Sequence, residues 1–240
     1  MTLRRERSWG CKRIAKFLGM APATVQNWLS GKRHPMGRLN RPTLTPSREL
    51  SYLIGVYLGD GTLFYSKTKN RTNYGVKLLA TNLNFVKYFD EKACEILNKE
   101  KAYPIFEQHK SNLNPNGIYY ICSVYSRILY EFFKKRGKNP KRYNSVISQH
   151  PFDFIRGFFD SEGWIVNKNR KGHRRRYEFH LCNTKVSILE YIQKLINDEL
   201  GILSYIISMP RSNIGRKKMF NLNIYKKDDV LTLSGIFKKR

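Results

Sequence analysis

Two stretches decide how this chain is read, YLIGVYLGDG at 52–61 and FIRGFFDSEG at 154–163. Each is apolar for two helical turns, Leu53 to Leu58 and Phe154 to Phe159, with Arg156 as the single exception. A short helix that is apolar on every side has to be buried. Each stretch also carries small residues four apart, Gly55 with Gly59 and Gly157 with Ser161. Glycine inside a helix costs ~0.5–1 kcal/mol relative to alanine, so such pairs call for a close backbone contact to offset them. The other motif helix is the natural contact. Packed side by side, the two helices bring their C-terminal ends together, with Asp60 and Glu162 at the bottom of one interface.

The sequence around these motifs is duplicated. The strand-like segments YGVKLLATN (74–82) and YEFHLCNT (177–184) each follow a polar, basic stretch and end in a short turn. Each turn leads into an amphipathic helix, with Phe85, Val86, Phe89, Ala93, Ile96 and Leu97 at helical spacing in one copy. Ile188, Leu189, Ile192, Leu195, Ile196 and Leu200 repeat that spacing in the other. A second strand pair follows, ending in IYYICSVYS (118–126) and MFNLNIYKK (219–227). Asp60 and Glu162 are 102 residues apart, Phe85 and Ile188 103, and Val124 and Ile224 100. Three landmarks in one register predict a pseudo-symmetric mixture of helix and sheet, with a sheet and two or more helices in each half.

Two carboxylates held close together repel and desolvate one another unless a cation neutralises them. Mg²⁺ suits the pair, since it takes one or two protein carboxylates and completes its shell with water and phosphate oxygens. The chain has 45 Lys and Arg against 18 Asp and Glu, a net charge of +27, which points to a polyanionic partner. Nothing in it reads as a signal peptide or a membrane span, and an intracellular setting, cytoplasmic or organellar, is expected. Cys11, Cys94, Cys122 and Cys182 lack zinc-ligand spacing and read as reduced, packing thiols. The five histidines show no paired metal spacing either.

LIGVYLGDG (53–61) and IRGFFDSEG (155–163) resemble the paired LAGLIDADG motifs of single-chain homing endonucleases, and the resemblance covers about residues 48–240. It implies an α+β fold, a pseudo-twofold duplicated αββαββα with two antiparallel sheets forming a saddle in the DNA major groove. The implied activity is that of an intron-encoded, monomeric enzyme that cuts both strands of a long double-stranded DNA site. The resemblance further implies that cleavage needs Mg²⁺, with Mn²⁺ as a substitute, and leaves short 3′ overhangs. By position, Asp60 and Glu162 match the family's metal-binding acids, and Asp160 matches an earlier, structural acid that is Leu58 in the first copy. Asn183 matches a polar residue that holds water; Ala80 takes its place in the first copy, with Thr81 or Asn82 as substitutes. A late lysine in each repeat is matched by Lys141 and by Lys238 or Lys239.

The resemblance divides the chain into repeats at 48–147 and 148–240, after a linker at 40–47. Within residues 1–39, Ala15, Gly19, Val25 and Trp28 are spaced +4, +6 and +3, as in a helix-turn-helix. Its second helix is predicted to start near Ala23 and to present Thr24, Gln26 and Asn27 to DNA. Basic runs at 134–142, 168–176 and 216–218 offer phosphate contacts. Lys77, Arg174, Arg176, Glu178 and His180 alternate with apolar strand residues and are candidate readers of base edges. Two rival readings keep the same fold: a non-cleaving DNA-binding regulator, and an intron maturase that binds RNA. Retention of both acids favours the nuclease.

Overall fold

The computed structural model describes residues 9–32, 44–68, 72–111, 114–168, 176–209 and 218–238. The chain divides into two compact units, Met1–Arg41 and Pro42–Arg240. In the first, α1 (Cys11–Phe17) and α2 (Pro22–Leu29) pack around Ile14, Ala15 and Val25, with Trp9 and Trp28 against them. Gly19 turns the chain between them at φ +63°, where a Cβ would be strained, so the turn needs this glycine. The helix starts at Pro22, one residue before the predicted Ala23. Proline's fixed φ suits a first helical position, where its missing N–H costs nothing.

In the second unit the order helix, two strands, helix, two strands, helix occurs twice. The first copy runs α3 (Arg48–Leu58), β1 (Thr62–Lys67), β2 (Thr72–Ala80), α4 (Leu83–Ile96), β3 (Ile105–Ser111), β4 (Asn114–Tyr125) and α5 (Arg127–Arg136). A 3₁₀ turn (Pro140–Tyr143) and the short α6 (Asn144–Ile147) lead to the second copy. That copy is α7 (Pro151–Glu162), β5 (Gly163–Lys168), β6 (Arg176–Asn183), α8 (Val186–Leu200), β7 (Tyr205–Ser208), β8 (Phe220–Ile224) and α9 (Lys227–Lys238). Each copy builds a four-stranded antiparallel sheet, ordered β1-β2-β4-β3 and β5-β6-β8-β7. Val76 lies opposite Val124, and Phe179 opposite Ile224. All four are buried, so the landmarks read from sequence mark the core side of each sheet.

The motif helices form the centre of this unit, and every residue from Leu50 to Leu58 is buried. A Cβ placed on Gly55 would lie 2.2 Å from the Phe154 carbonyl oxygen, and one on Gly157 would lie 2.1 Å from that of Tyr52. One on Gly59 would lie 2.5 Å from Ser161 Cβ. Contacts therefore advance in the same direction along both helices, which run parallel with their backbones touching. The small residues do what their spacing predicted: they let the two C-terminal ends meet. Arg156, the polar exception, lies over the Tyr88 ring at 4.4 Å and within 3.8 Å of Asp160. Tyr52 donates to Asp160 Oδ2 at 2.9 Å, so this earlier acid is held by structural partners.

Candidate active site

Asp60 and Glu162 project from the paired ends of α3 and α7. Asp60 is exposed and Glu162 half-buried. Partial burial, followed by the charge of Asp60, pushes the Glu162 carboxyl up to about 7; Lys138 and Asn183 oppose the shift. Although Asp60 is exposed, the protein atoms around its carboxyl strip away part of its hydration and raise it, with Lys138 opposing. Glu162 thus senses Asp60, and both sense one lysine. Asn183, at the end of β6, donates from Nδ2 to Glu162 Oε1 at 3.2 Å, while its Oδ1 accepts from the Lys185 N–H at 2.9 Å. That second bond fixes which way the amide faces. Cys182 lies close as well, its thiol pushed up by burial and then by the Glu162 charge.

Lys138 is the residue that sequence reasoning missed. Its Nζ donates to the Gly59 carbonyl oxygen at 2.6 Å and lies 5.6 Å from the Tyr57 ring. Burial lowers its pKa, while Glu162 and Asp60 pull the other way. Lys141, the expected lysine, is exposed at the head of the 3₁₀ turn, and its backbone N–H donates to Asn139 Oδ1. The difference between the two lysines is one of local geometry. Gly137 stops α5 at φ +61°, and Tyr143 donates to the Gly137 carbonyl oxygen at 2.8 Å, pinning the loop. The chain then reverses with Lys138 directed at Gly59 and Lys141 outside. A glycine helix stop directly before a lysine was the available signal.

The other expected site residues are distributed unevenly. Ala80 ends β2 as Asn183 ends β6, and it offers no polar group. Asn82, one proposed substitute, is engaged in capping α4, its Oδ1 accepting from the N–H groups of Asn84 and Phe85. His180, expected to read bases, is only 9% exposed. Its ring nitrogens face Glu178 Oε2 at 2.9 Å and Asn223 Oδ1 at 2.6 Å, and the ring stacks on Trp164. Arg176 is bonded to Glu178 but keeps an exposed side chain. Lys77 is half-buried between Thr62 and Ser123 on neighbouring strands. Gln26 is exposed on α2, with Thr24 and Asn27 half-buried. Arg174 and Lys239 lie outside the described residues.

Two carboxylates fit a divalent cation only if water or phosphate completes the shell. Among the described residues no group of three or more His, Cys, Asp or Glu side chains could hold an ion by itself. Mg²⁺ meets that condition, since it binds through one or two carboxylates and keeps several waters.

Residues 150–235 match the model of the LAGLIDADG-like domain family. The fold is also that of the homing endonuclease I-DmoI: mesophilic variants of it align with TM-score 0.55 at 22% identity, over 80% of this chain and 96% of theirs. I-DmoI in complex with DNA and Mn aligns with TM-score 0.54 at 23% identity, over 80% of this chain and 98% of that one. The N-terminal LAGLIDADG domain of DUF199/WhiA aligns with TM-score 0.50 at 17% identity, over 84% and 87%. In sequence, the chain is 28% identical to the uncharacterized protein MJ0398 of Methanocaldococcus jannaschii, over 92% of itself and 73% of that protein. It is 25% identical to MJ0314 of the same organism, over 71% of itself and 60% of that protein. The chain has the duplicated fold of I-DmoI, with a motif helix opening each half. Its LAGLIDADG-like domain at 150–235 is the second half of a duplicated fold whose first half begins at α3.

Proposed function

We propose that this protein is a site-specific endonuclease that hydrolyses both strands of double-stranded DNA at the Asp60–Glu162 centre, with a divalent cation. The observation that carries the reading is the meeting of two charge-coupled acids at the ends of touching helices, with Lys138 beside both. Asp60 and Glu162 would hold Mg²⁺ or Mn²⁺, which would supply an activated water and neutralise charge developing on the leaving oxygen. The protein's own groups set the stage. Asn183 holds Glu162 by Oε1, and Lys138, held on the Gly59 carbonyl beside the acids, offers a fixed cation to an entering phosphate. Lys138 comes from the first repeat and Asn183 from the second. The two strands of a bound duplex would therefore meet different groups.

The retained acid pair argues against a regulator that only binds. Phosphate neutralisation by the basic surface supplies most of the affinity in this reading. The governing test is incubation with Mg²⁺ and a library of DNA duplexes: discrete double-strand breaks support a nuclease, and tight binding with no cutting sinks the enzyme.

Two predictions arise here. Lys138→Met is expected to lower kcat on the order of 10²-fold with little change in KM, because a preorganised cation is lost from the centre while the DNA-binding surface stays intact. Lys141→Met should leave both near wild type, and the reverse ranking would restore Lys141 to the site. Raising salt from 50 to 200 mM should weaken DNA binding by roughly 10³-fold or more, as expected for six or more phosphate contacts. A flat salt response would rule out a phosphate-dominated interface.

A further inference from the structure

The two sheets differ in what they present on the face turned away from the core, and pairing register defines the comparison. In the first sheet, Leu79 neighbours Ile121, and Ile121 neighbours Phe106. Leu79 is 45% and Phe106 60% exposed, with Ile121 half-buried between them. This is a row of three apolar side chains across three strands. The matching row of the second sheet is Cys182, Asn221 and Ile207. Asn221 is buried there, and its side-chain oxygen has no hydrogen-bond partner among the described residues. The next row of the second sheet holds Trp164, His180, Asn223 and Tyr205, and Arg176 and Glu178 extend its polar chain. The corresponding row of the first sheet holds Thr62, Lys77 and Ser123.

The apolar row sits close to the acids by register, because Leu79 precedes Ala80, the counterpart of Asn183 that bonds Glu162. The occupant of this face is constrained by charge. A chain of net charge +27, with Lys77 in the adjoining row, attracts a polyanion. Side chains that neither donate nor accept cannot pair with the nitrogen and oxygen atoms of a base edge. A B-form major groove offers them one complementary feature, the C5-methyl group of thymine.

We propose that Leu79, Ile121 and Phe106 read thymine methyl groups, so that the half-site under the first sheet is selected for thymine at the contacted steps. The second sheet carries Asn221 in place of Ile121, and with it a hydrogen-bonding group where the first sheet has none. The inference rests on the DNA-binding reading above and assigns the two halves of its target different chemistries.

The test begins with duplexes that the full-length protein selects from a random library in the absence of divalent metal. Each is resynthesised with deoxyuridine in place of thymidine, in one half at a time. This removes only the methyl and keeps the base pair. Binding should weaken about fourfold per contacted methyl, and in one half alone. The variant Leu79→Ser with Phe106→Ser should bind the thymidine and deoxyuridine duplexes equally. Both side chains are exposed, so its thermal melting should match wild type. Equal binding of both duplexes by the wild-type protein, or discrimination that survives in the double variant, overturns the proposal while leaving DNA binding in place. Selection of no duplex at all overturns the DNA-binding reading and this inference with it.

Discussion

Glu162→Gln is expected to abolish double-strand cleavage and, at pH 8 without metal, to raise the melting temperature. The two effects share one cause. Burial and the charge of Asp60 hold the Glu162 carboxyl at about 7 in the folded protein, above its ordinary 4.5. The folded state thus favours the neutral acid. That contribution to stability is fully present below about pH 4.5 and is lost as pH rises through about 7. Glutamine cannot ionise, so the variant escapes the loss. After discounting for solvent screening, the difference at pH 8 is on the order of 1–2 kcal/mol, or roughly 2–8 °C in Tm. The gap should close between pH 7 and pH 4.5, the window set by the two pKa values. Mg²⁺ should stabilise the wild type above pH 7 and leave the variant unmoved, because binding energy is then available to one folded state only. Cleavage should fall on the order of 10³-fold or more, with DNA binding retained. A variant that still cuts, or one that melts below wild type at pH 8, would remove Glu162 from the centre.

The acid pair was legible in the sequence because three independent constraints meet on it. An all-apolar helix must be buried, glycine four residues from a small partner calls for a close approach, and a repeat register near 100 puts Asp60 and Glu162 in matching places. Each constraint acts along the chain, at a spacing that can be counted. Lys138 was not legible in this way. Its position depends on where α5 stops and how Gly137 redirects the backbone, so the choice between Lys138 and Lys141 turns on one residue's φ angle. His180 illustrates a second limit. Strand alternation placed it correctly on the face away from the core, in register with Trp164 and Asn223. Alternation says nothing about neighbours on the same face. Glu178, Asn223 and Trp164 enclose it there, so a side chain expected to face DNA is spent on holding the sheet surface in place.

Two glycine-to-alanine substitutions should move stability in opposite directions, and their contrast tests the close helix pair that positions the acids. At Gly235, within α9, a Cβ meets nothing within 4 Å. Alanine there should stabilise by about 0.5–1 kcal/mol through helix propensity alone. At Gly157 the same Cβ would lie 2.1 Å from the Tyr52 carbonyl oxygen and 3.1 Å from the Val56 nitrogen. These are backbone atoms of the facing helix, which cannot rotate aside as a side chain could. The helices must therefore separate along their whole contact, including the buried Leu53, Ile54, Ile155 and Phe158. Overpacking of this kind costs roughly 1–3 kcal/mol, and the absence of a side-chain escape puts Gly157→Ala at about 3 kcal/mol or more. Its Tm should drop by about 6–12 °C. The helix ends would part as well, and a shift near 1 Å at the acids is enough to slow cleavage on the order of 10²-fold in the molecules that remain folded. Melting curves of both variants, with single-turnover rates measured well below the lower Tm, check the two effects separately. A Gly157→Ala protein as stable and as active as Gly235→Ala would mean that α3 and α7 are not in backbone contact, and the argument that brings Asp60 to Glu162 would fall with it.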